Sequence, residues 1–220
     1  LKLARLFDTM GMQKEAESVL REAVALDPDS EPRRLMLADF LVTRKDVAAA
    51  EHALLEAVSH LPHSGKIQFA LAGLYRRDGS PEKARARYVE LVEEYKSKPI
   101  GLEAKVKLAE MDLEEGKQAD AEREVAEALK ENPRSAEALT LSGKMALANR
   151  NGKDAVQAFR TVLHDQPEQA TVQFLLGQAY LLTKEPALAR ESFERAVALY
   201  PGQVDARRSL AILESQSGRH

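Results

Sequence analysis

The apolar residues of this chain recur at helical spacing, in pairs of short segments separated by polar turns. The first segment of a pair carries a stripe such as Leu71, Ala72 and Tyr75. The second carries a small residue followed four places later by a large one, as in Ala84 and Tyr88. Apolar residues three to four places apart lie on one face of an α-helix. The pattern therefore predicts pairs of amphipathic helices, each of roughly a dozen residues, joined by a turn.

Prolines set the period of this pattern. Pro28 and Pro62 are 34 residues apart, and the same interval separates Pro133, Pro167 and Pro201. The interval from Pro62 to Pro133 is 71 residues, which is two periods plus three. A fixed period between about 20 and 50 residues indicates a repeat array before any other fold is considered.

Small, large and turn residues follow the same period. A small residue opposite a large one lets one helix seat its bulky side chains against the backbone of the other. Glycine in the turn allows the left-handed conformation in which a helix can end. The small residues are Ala16, Ala50, Ala84, Ala121, Ala155 and Ala189, the large ones are Leu20, Leu54, Tyr88, Val125, Phe159 and Phe193, and the turn glycines are Gly11, Gly79, Gly116 and Gly218.

This spacing resembles that of the tetratricopeptide-repeat family, whose units are 34-residue helix–turn–helix motifs. The resemblance implies an all-α fold, a right-handed superhelical solenoid of antiparallel helix pairs. The chain departs from the family in lacking tryptophan and in placing Asp112, Ser142 and Glu214 where larger apolar residues are usual. We predict one solenoid domain, residues 1–220, made of a partial repeat 1–30, repeats 31–64, 65–98, 102–135, 136–169 and 170–203, and a partial repeat 204–220.

The three extra residues fall in the segment EEYKSKPIG, residues 93–101, where the third repeat lacks its closing proline. We expect the second helix of that repeat to run about a turn longer, and Pro99, Ile100 and Gly101 to form a link of residues 99–101. A domain boundary at this point is the alternative.

The first predicted repeat is already inside its first helix at Leu1, and the last one stops after a single helix. Helices at the ends of a repeat array expose faces that a further repeat would cover. We therefore expect a fragment of a longer array, with Leu3 and Phe7 partly exposed. Such ends would permit end-to-end self-association.

Composition excludes several classes of function. The chain has 32 basic and 35 acidic residues and a net charge of −3, so it lacks the basic footprint of a dedicated nucleic-acid binder. It has no cysteine, which excludes disulfide scaffolds and thiolate metal sites. No apolar run approaches the roughly 18 residues that span a membrane, so we expect no direct membrane insertion of this segment.

The sequence offers little for catalysis. His60 and His63 are the only close histidine pair, and they lie in a turn with no third ligand nearby in sequence. No nucleophile-elbow or phosphate-loop glycine pattern is present. The carboxylates of residues 111–132 alternate with Lys and Arg, which is typical of a solvated helix face. We therefore predict a protein that is not an enzyme and has no cofactor and no metal.

The family resemblance implies that the first helix of each repeat lines a concave groove, through roughly its second, fifth, ninth and twelfth places. Apolar residues recur there, and large exposed apolar patches mark interaction sites. Phe69 and Phe174 are the strongest anchors, because aromatic side chains bury the most area. The alternative is that these residues are partly covered and widen the core. The predicted groove residues are Leu35, Asp39, Val42, Phe69, Arg76, Val106, Glu110, Leu113, Thr140, Lys144, Leu147, Phe174, Gln178 and Leu181.

Two specialised family sites are absent. The clamp that holds a terminal carboxylate uses Lys and Asn, but the matching fifth and ninth places hold Leu35 and Asp39, then Phe69 and Gly73. The asparagine ladder of sugar-transferring superhelices is also missing, since Asn132, Asn149 and Asn151 are the only asparagines.

We therefore predict a non-catalytic scaffold that binds a peptide or helix of a partner protein in the groove, without nucleic acid. The alternative is a regulatory or substrate-presenting module of a larger enzyme, or of an envelope export or exopolysaccharide assembly machine. The sequence of residues 101–167 also resembles that of long proteobacterial repeat arrays of the PEP-CTERM-associated type. That resemblance favours the bacterial periplasm or envelope, and the cytoplasm is the alternative.

Overall fold

A computed structural model describes residues 2–216, and these form thirteen α-helices and no strand. The all-α fold class and the repeat architecture predicted from the sequence are confirmed. The helices are α1 Lys2–Thr9, α2 Gln13–Leu26, α3 Glu31–Thr43, α4 Val47–His60, α5 Gly65–Arg77, α6 Pro81–Tyr95, α7 Pro99–Glu114, α8 Gln118–Glu131, α9 Ala136–Ala148, α10 Gly152–Asp165, α11 Ala170–Leu182, α12 Pro186–Leu199 and α13 Val204–Gln216. The right-handed course of the whole superhelix stays a prediction.

The chain divides into two compact units, residues 1–108 and 109–220, and the division falls inside α7. In the first unit α1 packs on α2, α3 on α4 and α5 on α6, and α2 and α4 also pack on α3 and α5. In the second unit α9 packs on α10 and α11 packs on α12. In addition, α8 packs on α9 and α13 packs on α12. Packing is thus between helices that are close in sequence.

The small and large residues of the second helices form the core, as their spacing predicts. All six alanines of the series are fully buried, and so are Phe159 and Phe193. A Cβ added to Gly143 would lie within 3.0 Å of three ring atoms of Phe159, and one on Gly177 within 2.9 Å of three ring atoms of Phe193. These two rings therefore rest directly on the backbone of the preceding helix.

The turn inside each repeat has one recurring backbone conformation. Gly11, Gly79 and Gly116 have φ of 73°, 77° and 77°, and Gly218 lies outside the described residues. The equivalent turns of the other repeats hold Lys45, Arg150 and Lys184, with φ of 60°, 57° and 62°. The left-handed conformation is thus part of the repeat, whether or not glycine provides it.

The predicted link at residues 99–101 is wrong. Pro99, Ile100 and Gly101 belong to the first turn of α7, where a proline leaves no backbone N–H unpaired. The connection is Lys96–Lys98, and it begins with Lys96 at φ 47°. A Cβ on Gly101 would overlap the backbone of Lys96, so this tight reversal needs glycine. The preceding helix α6 has 15 residues and α4 has 14, so α6 is not a turn longer.

Buried polar side chains fix the turns between repeats in the first unit. Arg34 and Gln68 are buried at equivalent places of α3 and α5, and each donates a hydrogen bond to the carbonyl of the preceding proline, Pro28 or Pro62. A buried donor without a partner is costly, and these bonds remove that cost. The sequence analysis did not identify this contact.

The residue after the inter-repeat proline also contacts a residue 31 positions later. Asp29 pairs with His60 at 3.5 Å, and His63 lies 2.9 Å from Glu94. Arg134 makes the same contact with Asp165. Hydrogen bonds from Arg134 and His164 lower the pKa of Asp165 to about 2. His63 is thus a turn residue, as predicted, whereas His60 is the last residue of α4, and each has a carboxylate partner that was not predicted.

Two further expectations concern the surface. Leu3 is 49% exposed and Phe7 is half-buried, which agrees with the partial exposure predicted for them. Across residues 2–216 no helix combines the length and the apolar character needed to cross a membrane.

Candidate functional site: a groove on the first helices of the N-terminal unit

A groove of about 660 Å³ lies on the first unit, along α3 and α5. It brings together five of the predicted groove residues, Leu35, Asp39, Val42, Phe69 and Arg76. The other lining residues are Ala38, Leu54, Ala70, Gly73, Arg77, Tyr88 and Lys107. We call this surface the α3–α5 groove.

The floor of the groove is apolar and well supported. Leu54 and Tyr88 reach it from α4 and α6 and are buried, so the second helices close it from beneath. Phe69 is half-buried and meets the edge of the Tyr88 ring, with centroids 5.3 Å apart and planes at 62°. This edge-to-face contact holds Phe69 in place while part of its ring stays open to the groove.

Charged side chains line the rim of the groove. Arg76, Arg77 and Lys107 line it together with a single carboxylate, that of Asp39. Asp39 and Arg77 are exposed, whereas Arg76 and Lys107 are half-buried. The basic residues stand at the end of α5 and on α7, and Asp39 stands on α3. Charged side chains therefore border the apolar floor of the groove, and Arg76 and Lys107 also interact with other residues.

Gly73 lies within α5 and lines the groove. A Cβ added to it would have no heavy atom within 4 Å. This distinguishes it from Gly143 and Gly177, where the added atom would collide with Phe159 or Phe193. Packing inside the protein therefore does not require glycine at position 73.

A smaller depression of about 220 Å³ adjoins the groove between α1 and α3, and Asp39 lines both. Arg44 dominates it. Its Nη2 lies 2.6 Å from Asp8 Oδ1, and its guanidinium lies 4.8 Å from the centre of the Phe40 ring. The remaining lining residues are Ala4, Arg5, Leu20, Met36 and Thr43. The sequence pattern does not predict this depression, because its residues come from α1, α2 and α3, and Asp8 and Arg44 are 36 positions apart.

Val106 is not a groove residue, contrary to the prediction. It is 1% exposed. Residues two places apart lie on different faces of a helix, yet Leu102, Ala104, Val106 and Leu108 are all buried. Since α7 is covered around most of its circumference, the side chain at the fifth place of this repeat has no open face.

The predicted residues of the second unit are accessible to different degrees. Lys144 is exposed and Leu181 is 42% exposed. Leu147 and Phe174 pack against the core, and the Phe174 ring lies 5.7 Å from that of Phe193 at 41°. These two partly widen the core, as the alternative hypothesis holds. The half-buried members of the set are Glu110, Leu113, Thr140, Leu147, Phe174 and Gln178.

The groove offers apolar area and charge rather than reactive groups. Among residues 2–216, no three His, Asp or Glu side chains are arranged to hold a metal ion. Tyr95 and Glu31, whose pKa values are shifted, lie outside the groove. Burial raises the pKa of Tyr95. A hydrogen bond from Ser64, and a weaker contribution from the hydrogen bond of Lys66, lower the pKa of Glu31. Such a surface can bind another molecule through its apolar floor and charged rim.

Comparison with protein families agrees with this architecture. A tetratricopeptide-repeat model matches residues 35–99, 106–161 and 141–204, and a second tetratricopeptide-repeat model matches residues 1–30. No curated protein sequence matches the chain at a significant level.

Solved structures share the fold at low sequence identity. PilW, a widely conserved type IV pilus biogenesis factor, is 19% identical, with 95% of this chain and 96% of PilW aligned at a TM-score of 0.67. A tetratricopeptide repeat protein from Parabacteroides merdae ATCC 43184 is 17% identical, with 99% and 85% aligned at 0.66. The Cut9–Hcn1 hetero-tetramer of APC/C gives a TM-score of 0.75 at 14% identity, where 97% of this chain spans 42% of that chain. Since the family models match well over half of the sequence, the chain belongs to the tetratricopeptide-repeat family.

Proposed function

We propose that this protein is a non-catalytic scaffold that binds a peptide or helix of a partner protein in the α3–α5 groove. Tetratricopeptide repeats commonly mediate protein–protein interaction. The observation that carries the proposal for this chain is the groove itself, where half-buried Leu35, Val42 and Phe69 surround an open apolar floor.

The size of the groove suits a peptide segment. Sites that enclose most of a small ligand measure about 300–1,000 Å³, and the α3–α5 groove measures about 660 Å³. That is room for one or two large side chains rather than for a whole domain. A partner would therefore bind through a short segment with an apolar anchor, in an extended or helical form.

Phe69 is the best anchor on the protein side. Binding energy concentrates in a few aromatic or large residues that are held rigidly at the centre of an interface. The contact with Tyr88 fixes the Phe69 ring before any partner arrives, so little side-chain entropy is lost on binding.

The test compares two valine substitutions in the same unit. Val42 lines the groove on α3, whereas Val89 lies on α6 and is 40% exposed outside it. Phage-displayed twelve-residue peptides would be selected on the intact chain and their affinities measured by fluorescence anisotropy. We expect Val42→Asp to weaken binding at least about tenfold, because it places a charge on the apolar wall. Val89→Asp should change affinity less than about twofold, as is usual for a surface position far from the contact.

Circular dichroism would show that both variants keep the helical content of the parent chain. Equal affinity of the peptides for Val42→Asp and for the parent chain would place their binding outside the groove and overturn the proposal. Failure of the library to yield any binder would overturn it as well.

A further inference from the structure

We propose that the second unit binds a carboxamide with an apolar substituent in a pocket between α10, α11 and α12. The pocket measures about 320 Å³, and its residues belong to the second unit, whereas the α3–α5 groove belongs to the first. Two buried polar side chains on α11 indicate this ligand, because neither has a hydrogen-bond partner among residues 2–216.

One face of α11 lines the base of the pocket. Gln173, Leu176 and Tyr180 are three to four residues apart, so they lie on one side of the helix. Gln173 is 6% exposed and Tyr180 is 8% exposed. Leu163 of α10 and Leu188 of α12 line the pocket from the helices on either side. The pocket therefore combines apolar walls with two buried hydrogen-bonding groups.

In the first unit, the equivalent glutamine and tyrosine are satisfied by the protein itself. Gln68, the fourth residue of α5, donates a hydrogen bond to the carbonyl of Pro62. The hydroxyl of Tyr75, the eleventh residue, donates to Glu51 of α4, and burial, followed by this bond, raises the pKa of Tyr75. Lys83 of α6 lies 3.5 Å from the same carboxylate and 5.0 Å from the centre of the Tyr75 ring. Side chains of both flanking helices therefore contact the tyrosine or its partner.

The second unit has the same glutamine and tyrosine but not these partners. Gln173 and Tyr180 are the fourth and eleventh residues of α11. Val156 of α10 stands where α4 has the carboxylate, and Leu188 of α12 stands where α6 has the lysine. Within residues 2–216 neither polar group has a hydrogen-bond partner, and Gln173 makes no bond to the carbonyl of Pro167. A buried polar group without a partner is costly, so a ligand that completes these bonds removes the cost.

The two polar groups match a carboxamide. A glutamine side chain presents an N–H donor and a carbonyl acceptor side by side, and a tyrosine hydroxyl can donate or accept. A second carboxamide presents the same donor and acceptor, so it can bond to Gln173 in both roles and still accept a hydrogen bond from Tyr180. A ligand with an acceptor alone satisfies only part of this set.

The surroundings favour a neutral ligand. Arg160, Glu191 and Arg195 also line the pocket, but all three are exposed, and ion pairs at exposed positions contribute little. A charged group would lose more hydration than an amide on reaching the buried base. The polar end of the ligand is therefore uncharged.

The size of the pocket limits the ligand to a short one. Its volume of about 320 Å³ is near the lower end of the roughly 300–1,000 Å³ of small-molecule sites. The three leucines of the lining suit a branched aliphatic substituent. Such a carboxamide has two sources, a free small amide or the side chain of a glutamine in another protein.

The first experiment titrates the intact chain with isocaproamide, isocaproate and methyl isoamyl ketone. These molecules share one aliphatic body and end in a carboxamide, a carboxylate or a methyl ketone. We expect isocaproamide to bind at least about fivefold more tightly than the ketone, as one additional hydrogen bond allows. Isocaproate should also bind more weakly than the amide. Backbone amide NMR signals should shift in α10, α11 and α12 only.

Two results of this titration would contradict the inference. Equal binding of isocaproamide and the ketone would show that the buried polar groups do not take part. Tighter binding of isocaproate would show that the arginines select an anion instead of a carboxamide.

The second experiment removes each polar group while keeping its bulk. Gln173→Leu and Tyr180→Phe should each weaken isocaproamide by about fivefold and leave binding of the ketone unchanged. Neither variant should melt at a lower temperature than the parent chain, because neither side chain has a hydrogen bond to lose. Unchanged affinity for isocaproamide in both variants would overturn the inference.

The matched controls are Gln68→Leu and Tyr75→Phe in the first unit. They remove the bonds to Pro62 and Glu51, so both should lower the melting temperature and leave the binding of isocaproamide unchanged. If Tyr180→Phe lowered the melting temperature as much as Tyr75→Phe, the Tyr180 hydroxyl would have a partner inside the protein and the inference would fail.

A third titration distinguishes the two sources of the carboxamide. N-acetylglutamine methylamide carries the group as it stands in a protein chain, whereas isocaproamide is a free small amide. Tighter binding of the glutamine derivative would identify the side chain of a partner protein, and tighter binding of isocaproamide would identify a small molecule. Absence of binding by both would reject the site.

Discussion

At the scale of single residues, two aromatic rings of the second unit occupy the space that a Cβ on the facing helix would need. Phe159 and Phe193 lie over Gly143 and Gly177. At the equivalent places of the first unit, Leu54 stands with Ala38 and Tyr88 with Ala72, and all four are buried. An alanine on the first helix thus occurs with an aromatic ring as well as with a leucine on the second. The sequence shows the two series separately, but only the structure shows that their members touch.

This relation predicts coupling between positions 143 and 159. Gly143→Ala forces a Cβ against the Phe159 ring, and overpacking of this kind costs about 1–3 kcal/mol. The higher helix propensity of alanine offsets at most about 1 kcal/mol of this cost, so the Gly143→Ala variant should have a lower free energy of unfolding than the parent chain. In the Gly143→Ala, Phe159→Leu double variant the smaller side chain relieves the collision. We expect a coupling free energy of about 0.5–3 kcal/mol in urea unfolding, and additive effects would contradict the packing described.

At the scale of elements, the sequence predicted the helices better than their connections. The repeat turn was correctly placed where glycine marks it, at Gly11, Gly79 and Gly116. Lys45, Arg150 and Lys184 take the same conformation, and no local signal predicts it, because long side chains rarely adopt positive φ. There the packing of the two helices imposes the turn on an unfavourable residue.

The three extra residues near position 100 were misplaced for a related reason. Proline marks the end of a repeat at Pro28 and Pro62 but the first turn of a helix at Pro99. Both places suit a residue with fixed φ and no N–H. The spacing alone therefore fixed the size of the insertion but not its position.

Paired substitutions in the repeat turn measure the cost of the left-handed conformation. Gly79→Ala should lower the free energy of unfolding by about 1 kcal/mol, because a Cβ is strained at positive φ although no neighbouring atom obstructs it. Lys45→Gly should raise it by a smaller amount, since relief of strain is partly offset by the greater entropy of glycine in the unfolded chain. Urea unfolding with unchanged m-values would check both. A stabilising Gly79→Ala would show that the turn does not depend on conformational preference.

At the scale of the whole molecule, the candidate site was predicted in part. Five of the residues that the repeat period predicts line one groove in the first unit, and their role in binding stays a prediction. The period placed Val106 there wrongly, because burial of α7 depends on contacts that a period does not contain. Arg77 and Lys107 were missed because they meet across helices about 30 residues apart. Gly73 had a signal in the sequence, as a glycine inside a helical stripe with no turn beside it.

Equivalent substitutions in the two units would show how far a packing defect spreads. Ala84 on α6 and Ala189 on α12 are fully buried at the same place of their repeats. Leucine at either position should destabilise its helix pair by about 1–3 kcal/mol through overpacking. In repeat proteins each unit is stabilised by its neighbours along the chain. We therefore expect Ala84→Leu to speed amide hydrogen exchange in α5 and α6, and Ala189→Leu to speed it in α11 and α12. If Ala84→Leu increased exchange equally in all four helices, folding would be cooperative over the whole chain and nearest-neighbour packing would not describe its stability.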